Sequence, residues 1–354
     1  MLCSRSHGIE CGARTGADLY RSGVQYTSRQ STRRVYAACQ VFLLSKAKAT
    51  GEDSVNVFRD IADRATLERE YSPSSCIDNL PEILADYSRM SQGVRHNTPA
   101  YRTLYYGPDQ DECLDIFPCA SALEGEPRPV MIFIHGGYWQ ELNKDYHAFP
   151  APDFLRQNVS YIAINYGLAP TASMECMVAR CCAAVQWIHA NAEQLGIDPD
   201  KIHLSGCSAG AHLAAMAALL QPADALMRLA SLTLLSGIFD LRPIMLTYVN
   251  DPIGLSLQDA LTNSPQFRGD ISNANLPPVN ILFGNNETGE FKRQSREFAE
   301  TLDRRGVSVV LAEVQGRNHF DLVYDLADPG TTLGTLVVKN LLGQEAAQGM
   351  IHPC

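Results

Sequence analysis

The 354-residue chain has no apolar run of the ~18 residues that a membrane helix needs. It has no Cys-x-x-Cys pair, so zinc-ligand spacing is absent although the chain carries 11 cysteines. It is also short of positive charge: 29 Lys and Arg against 39 Asp and Glu leave a net charge of −10. An acidic surface has no general attraction for nucleic acid or anionic membranes, and neither is expected as a partner. Charged residues make up 19% and apolar residues 45%, which suits a globular protein and is too apolar for a disordered one. The length fits two domains or one large α/β domain with a sizeable core. In a chain this size, an odd number of cysteines that includes the adjacent pair Cys181-Cys182 reads as free thiols in a reducing cytosol. A disulfide-bonded periplasmic protein is the rival reading.

Residues 1–64 differ from the rest. Up to Thr50 there are eight basic residues and two acids, Glu10 and Asp18. Arg-rich, Ser-rich and acid-poor composition belongs to organellar transit peptides, but also to a disordered or weakly structured extension, which is the simpler reading. No chemistry is expected from this stretch. Residues 346–354 read as a tail.

From 65 to 345 the pattern is one of alternation. Apolar, β-branched runs at Arg102–Tyr106, Cys113–Phe117, Val130–Ile134, Ser160–Ile164, Ile202–Ser205, Ser231–Leu235, Val279–Phe283 and Val307–Glu313 are candidate strands. Most lack polar alternation, as strands covered on both faces do. Helical spacing joins Met174, Met177, Val178, Cys181, Val185 and Ile188, with Gly196 placed to stop the helix. Phe291, Phe298, Ala299 and Leu302 form a second stripe before Gly306, and Ala211–Leu220 is a third helix. Strands separated by helices imply right-handed crossovers and a mostly parallel, eight-stranded α/β sheet with helices on both faces. The Pro- and Gly-rich segment at about 240–278 reads as a small cap insertion over the crevice.

Gly206-Cys207-Ser208-Ala209-Gly210 lies between a candidate strand and a candidate helix. Such a turn strains the serine, and only glycine fits at its flanks. Ser208 is the candidate nucleophile, with the helix amino end favouring negative charge beside it. A serine hydroxyl needs a base. His319, in Gly316-Arg317-Asn318-His319-Phe320 after the last strand, is the candidate. A carboxylate must orient that imidazole. Glu287 follows the preceding strand and is favoured over Glu290 and Asp240. Ser208, Glu287 and His319 then run in the order of α/β-hydrolases. After strand Val130–Ile134 comes His135-Gly136-Gly137-Tyr138-Trp139. Its adjacent glycines let backbone amides approach a carbonyl oxygen, so Gly136 or Gly137, with Ala209, is assigned to an oxyanion hole. His135 orients this loop and is not the base. Tyr138 and Trp139 are candidates for an aromatic wall beside the substrate; for Trp139, packing in the core is an equal alternative.

The segments HGGYW, GCSAGAH, GNNETGEFKRQSREFAETL and GRNHF together resemble the kynurenine formamidase (arylformamidase) branch of the α/β-hydrolases, over residues 66–343. The resemblance implies the α/β-hydrolase fold, with Ser208 as nucleophile, His319 as base, Glu287 at the acid position and Gly136 and Gly137 in the oxyanion loop. Many members have Asp where Glu287 stands, and often His where Cys207 stands. The implied reaction is hydrolysis of N-formyl-L-kynurenine to L-kynurenine and formate, in tryptophan breakdown; the enzyme expected is cytoplasmic, with no metal and no cofactor. The branch also holds carboxylesterases, so a short-chain esterase is the alternative. A catalytically silent ligand binder is the non-enzymatic one. No basic residue is assignable to the substrate carboxylate. The expected partner is a small acyl compound, and a homodimer is compatible with the sequence.

Overall fold

The computed structural model describes residues 57–221, 228–269, 271 and 276–342. Most of the expected amino-terminal extension and all of the expected tail lie outside the described residues. The last part of the extension, 57–64, is described: Phe58 and Ile61 form a bridge, Arg59 makes a two-pronged ion pair with Glu297, and Arg64 opens a helix.

Eight strands form one sheet: β1 (Arg102–Tyr105), β2 (Cys113–Phe117), β3 (Arg128–Ile134), β4 (Ser160–Ile164), β5 (Ile197–Cys207), β6 (Ser231–Leu235), β7 (Val279–Asn286) and β8 (Val309–Asn318). Their order is β1-β2-β4-β3-β5-β6-β7-β8. The β1–β2 and β2–β4 pairs are antiparallel and all other pairs are parallel. This is the α/β-hydrolase fold. Each expected strand is present. β5 starts earlier than expected, at Ile197, where it pairs with Arg128; a register shift between Arg128 and Val130 precedes the Val130–Ile202 pairing.

The helices that matter here are α1 (Arg64–Glu70), α2 (Leu80–Asn97), α3 (Met174–Ala190), α4 (Ala209–Leu219), α5 (Gly289–Arg304) and α6 (Thr332–Leu342). Along β3, Val130, Ile132 and Ile134 pack on one side with α3 and α4, while Met131 and Phe133 pack on the other with α2 and α6. Coverage of both faces is why the strands read as unbroken apolar runs. α3 ends as its pattern implies: a short turn, Ala192–Leu195, leads to Gly196 at φ +66°. α4 is buried on all sides, so it shows Ala and Leu without an amphipathic stripe. Among the described residues no helix is long and apolar enough to cross a membrane.

After β6 the chain makes short turns, including Asn250–Ile253 and Leu257–Thr262, the latter opened by a Ser256–Asp259 capping box. Two buried groups brace the other end of the sheet. Asp115 on β2 meets Lys144 Nζ at 2.9 Å and accepts from Thr103 Oγ1 at 2.8 Å.

Candidate active site

The turn between β5 and α4 holds Ser208 at φ +56°, a conformation that costs about 1–3 kcal/mol in a non-glycine residue. The flanking sequence leaves no other path. A Cβ on Gly206 would run into the Gly210 carbonyl, and one on Gly210 into the Ile134 carbonyl of β3. Ser208 N donates to Leu235 O at 2.8 Å, tying the turn to β6. As first residue of α4, Ala209 has no earlier helical turn to donate to, so its N–H is open.

Glu287 lies just past β7 and His319 just past β8. The imidazole Nδ1 donates to Glu287 Oε2 at 3.0 Å, and both side chains are buried. Oε1 of the same carboxylate accepts from Ser236 Oγ at 2.6 Å and from the Gly284 amide at 2.5 Å. Three donors therefore fix the carboxylate, and the carboxylate fixes the ring. Phe291 and Phe320 meet the ring edge-on, with centroids at 4.6 and 5.1 Å. The rival acids are engaged elsewhere. Glu290, in the first turn of α5, binds Arg293 and the Tyr71 hydroxyl; Asp240 binds Arg242. An imidazole held at Nδ1 by a carboxylate leaves Nε2 to take a proton. The Ser208 Oγ to His319 hydrogen bond is not formed here; such bonds tighten when substrate binds.

The loop after β3 supplies the third part. Gly136 passes so close to the nucleophile that a Cβ there would sit 2.9 Å from Cys207 O and 3.2 Å from Ser208 Cβ. Gly137 has φ +102°, and a Cβ would strike the Glu141 carbonyl. Tyr138, Trp139 and Leu142 also have positive φ, at 49°, 63° and 65°. His135 Nδ1 lies 2.8 Å from Gly136 O, and its ring stacks on Tyr166 at 4.4 Å. Burial pushes its pKa down to about 4, which favours the neutral ring. Burial first, then the Glu287 charge, pushes the Cys207 thiol up to about 12, which disfavours the reactive thiolate.

Ser208, His319, Gly136, Gly137 and Tyr138 all line one cavity of about 220 Å³. The Tyr138 hydroxyl donates to Tyr71 O. Of the two places open to it, beside the substrate or in the core, Trp139 takes the second. It is fully buried in the core, off the cavity, with its indole N–H on His212 Nδ1 at 3.2 Å. A large buried aromatic ring gains from apolar contact, and its N–H has the partner that burial requires.

Comparison with known proteins identifies the family. A BD-FAE family model matches residues 114–235. The kynurenine formamidase of Danio rerio is 32% identical over 290 residues, 77% of this chain and 94% of that protein. The chain belongs to the kynurenine formamidase family. The kynurenine formamidase of Salmo salar is 30% identical, over 77% of this chain and 95% of its own length. An esterase of Pyrobaculum calidifontis matches with a TM-score of 0.60 and 20% identity, over 78% of this chain and 96% of the other; that likeness speaks for the fold alone. Membership in the kynurenine formamidase family makes the chain a hydrolase of the α/β-hydrolase superfamily.

In this formamidase-family chain two further segments line the cavity. The segment after β6, expected as a cap, contributes Tyr248 and Val249. The segment before β1 was not foreseen there; it contributes Ser72, Pro73, Leu80, Leu84 and Tyr87. The two are joined by the Ser72 and Tyr248 hydroxyls at 2.9 Å and by Glu68 Oε1 on the Tyr248 amide at 3.1 Å. Leu80, Leu84 and Tyr87 lie at i, i+4 and i+7, a helical signal legible in the sequence.

Proposed function

We propose that this member of the kynurenine formamidase family hydrolyses an aryl formamide, N-formyl-L-kynurenine being the substrate, to L-kynurenine and formate. Ser208 Oγ attacks the formyl carbon while His319 Nε2 takes its proton. Glu287 holds the ring and offsets the charge it gains. The carbonyl oxygen becomes an oxyanion, met by the amides of Ala209 and of Gly136 or Gly137. His319 then gives its proton to the amine nitrogen, the C–N bond breaks, and the arylamine leaves a formyl ester on Ser208. Water, deprotonated by His319, attacks that ester, and formate departs as Ser208 regains its proton. The observation that carries the reading is the buried Glu287–His319 hydrogen bond of 3.0 Å, opening on the same cavity as Ser208.

A short-chain carboxylesterase is the second reading, and one observation favours it. Among the described residues that line the cavity there is no Lys or Arg to hold an amino-acid carboxylate. The ratio of kcat/KM for N-formyl-L-kynurenine and for p-nitrophenyl acetate separates the two. A clear preference for the formamide supports the first reading, and turnover of the ester alone replaces it by the second. The seven described cysteines are all free thiols, which supports a cytosolic setting for the enzyme.

A further inference from the structure

His212 belongs to the GCSAGAH segment but takes no part in the chemistry above. It sits one helical turn beyond Ser208 in α4, fully buried, with its amide on Ser208 O at 3.2 Å. Its Nδ1 accepts the Trp139 indole N–H at 3.2 Å, and its Nε2–H donates to Asn263 O at 2.6 Å. The two rings meet edge-on at 5.2 Å and 89°. One residue thus links three places: its backbone amide bonds the nucleophile turn, and its imidazole joins the loop after β3 to the end of the Leu257–Thr262 helix.

We propose that His212 is a positioning residue for the oxyanion loop: through Trp139 it holds the Gly136 and Gly137 amides in register with Ser208. The proposal rests on the roles given above to Ser208 and those amides. Gly137, Tyr138, Trp139 and Leu142 all sit at positive φ, a backbone path this sequence does not adopt unaided. It needs tertiary anchors, and Trp139 is the deepest. Its carbonyl accepts the Ala169 amide at 2.8 Å, and its indole N–H, a donor only, reaches His212. The match is two-sided. Burial lowers the His212 pKa to about 4, so the ring is neutral, with one donor and one acceptor, as its two contacts require. An apolar residue would fill the same space but leave the Trp139 N–H and the Asn263 carbonyl unpaired.

The test uses the full chain, an aryl formamide or an aryl ester as substrate, and active sites counted by end-point fluorophosphonate labelling. His212→Phe and Trp139→Phe are each expected to lower kcat per labelled site about 100-fold, the scale set by a misplacement of about 1 Å. KM should move little. His212→Gln keeps one acceptor and one donor and should recover most of the loss. The double variant should be no worse than the poorer single one, because both break the same link. Wild-type kcat per labelled site in Trp139→Phe, or a loss confined to the number of labelled sites, overturns the proposal. Trp139→Phe decides alone if His212→Phe does not fold. A wild-type chain that fails to label on Ser208 is a different result and overturns the reading of the site itself.

Discussion

Glu287→Gln removes one negative charge with almost no change in shape. The carboxylate lies 3.0 Å from His319 Nδ1, and both side chains are shielded from solvent. In the proposed mechanism His319 takes the serine proton, and the ion pair that forms at this distance is worth about 5.5 kcal/mol at an effective dielectric of about 20. At about 1.36 kcal/mol per decade of rate, that is roughly four decades. The amide adds a second effect. Its NH2 can face Nδ1, which favours the wrong imidazole tautomer. We expect kcat to fall by about 10³–10⁴ with KM little changed. The assay is continuous: arylamine release from the formamide, normalised to sites that label with a fluorophosphonate. Glu290→Gln and Asp240→Asn, which alter the two other acids considered, should stay close to wild type per labelled site. A Glu287→Gln enzyme within about tenfold of wild type would refute the reasoning, and a large loss in Asp240→Asn would move the acid role there.

Other outcomes follow from the same geometry. Gly136→Ala places a methyl 2.9 Å from Cys207 O and 3.2 Å from Ser208 Cβ, so kcat should drop at least about 100-fold while circular dichroism stays native; full activity would mean the loop is not held where it lies. Asp115→Ala strips Lys144 of its buried partner and leaves only the exposed Asp145. Urea unfolding should show a loss of about 3 kcal/mol, the low end for a broken buried pair; no loss would remove this brace from the account. The protein should also weaken in acid. Burial holds His135, His203 and His212 at about 4 and His147 at about 3, against an ordinary value of 6.5. The unfolded chain binds these protons first, so stability is full above about pH 6.5 and falls as pH drops from there towards 4, by up to about 3 kcal/mol per histidine. A urea midpoint that is flat across that window would contradict it.

The sequence revealed the parts that local stereochemistry dictates. Ser208 was legible because only glycine tolerates positions 206 and 210, and His319 because its loop follows the last strand. Glu287 required a choice among three acids, which spacing alone does not make; the contacts that set it against His319, from the ring itself, Ser236 and the Gly284 amide, are tertiary. Trp139 was ambiguous for a similar reason. An aromatic residue beside a Gly-Gly turn can face either way, and the acceptor that draws it inward lies 73 residues on. The cavity lining from α2 and the residues before it was missed because helical spacing at Leu80, Leu84 and Tyr87 identifies an apolar face but not what that face covers.

The most direct measurement is rapid acid quench of the enzyme during turnover of N-formyl-L-kynurenine, followed by mass spectrometry of the digested chain. A formyl group on the peptide carrying Ser208, formed and lost at rates that accommodate kcat and absent in Ser208→Ala, is the expected result. Turnover of the formamide with no adduct at any quench time, and undiminished in Ser208→Ala, would contradict the account.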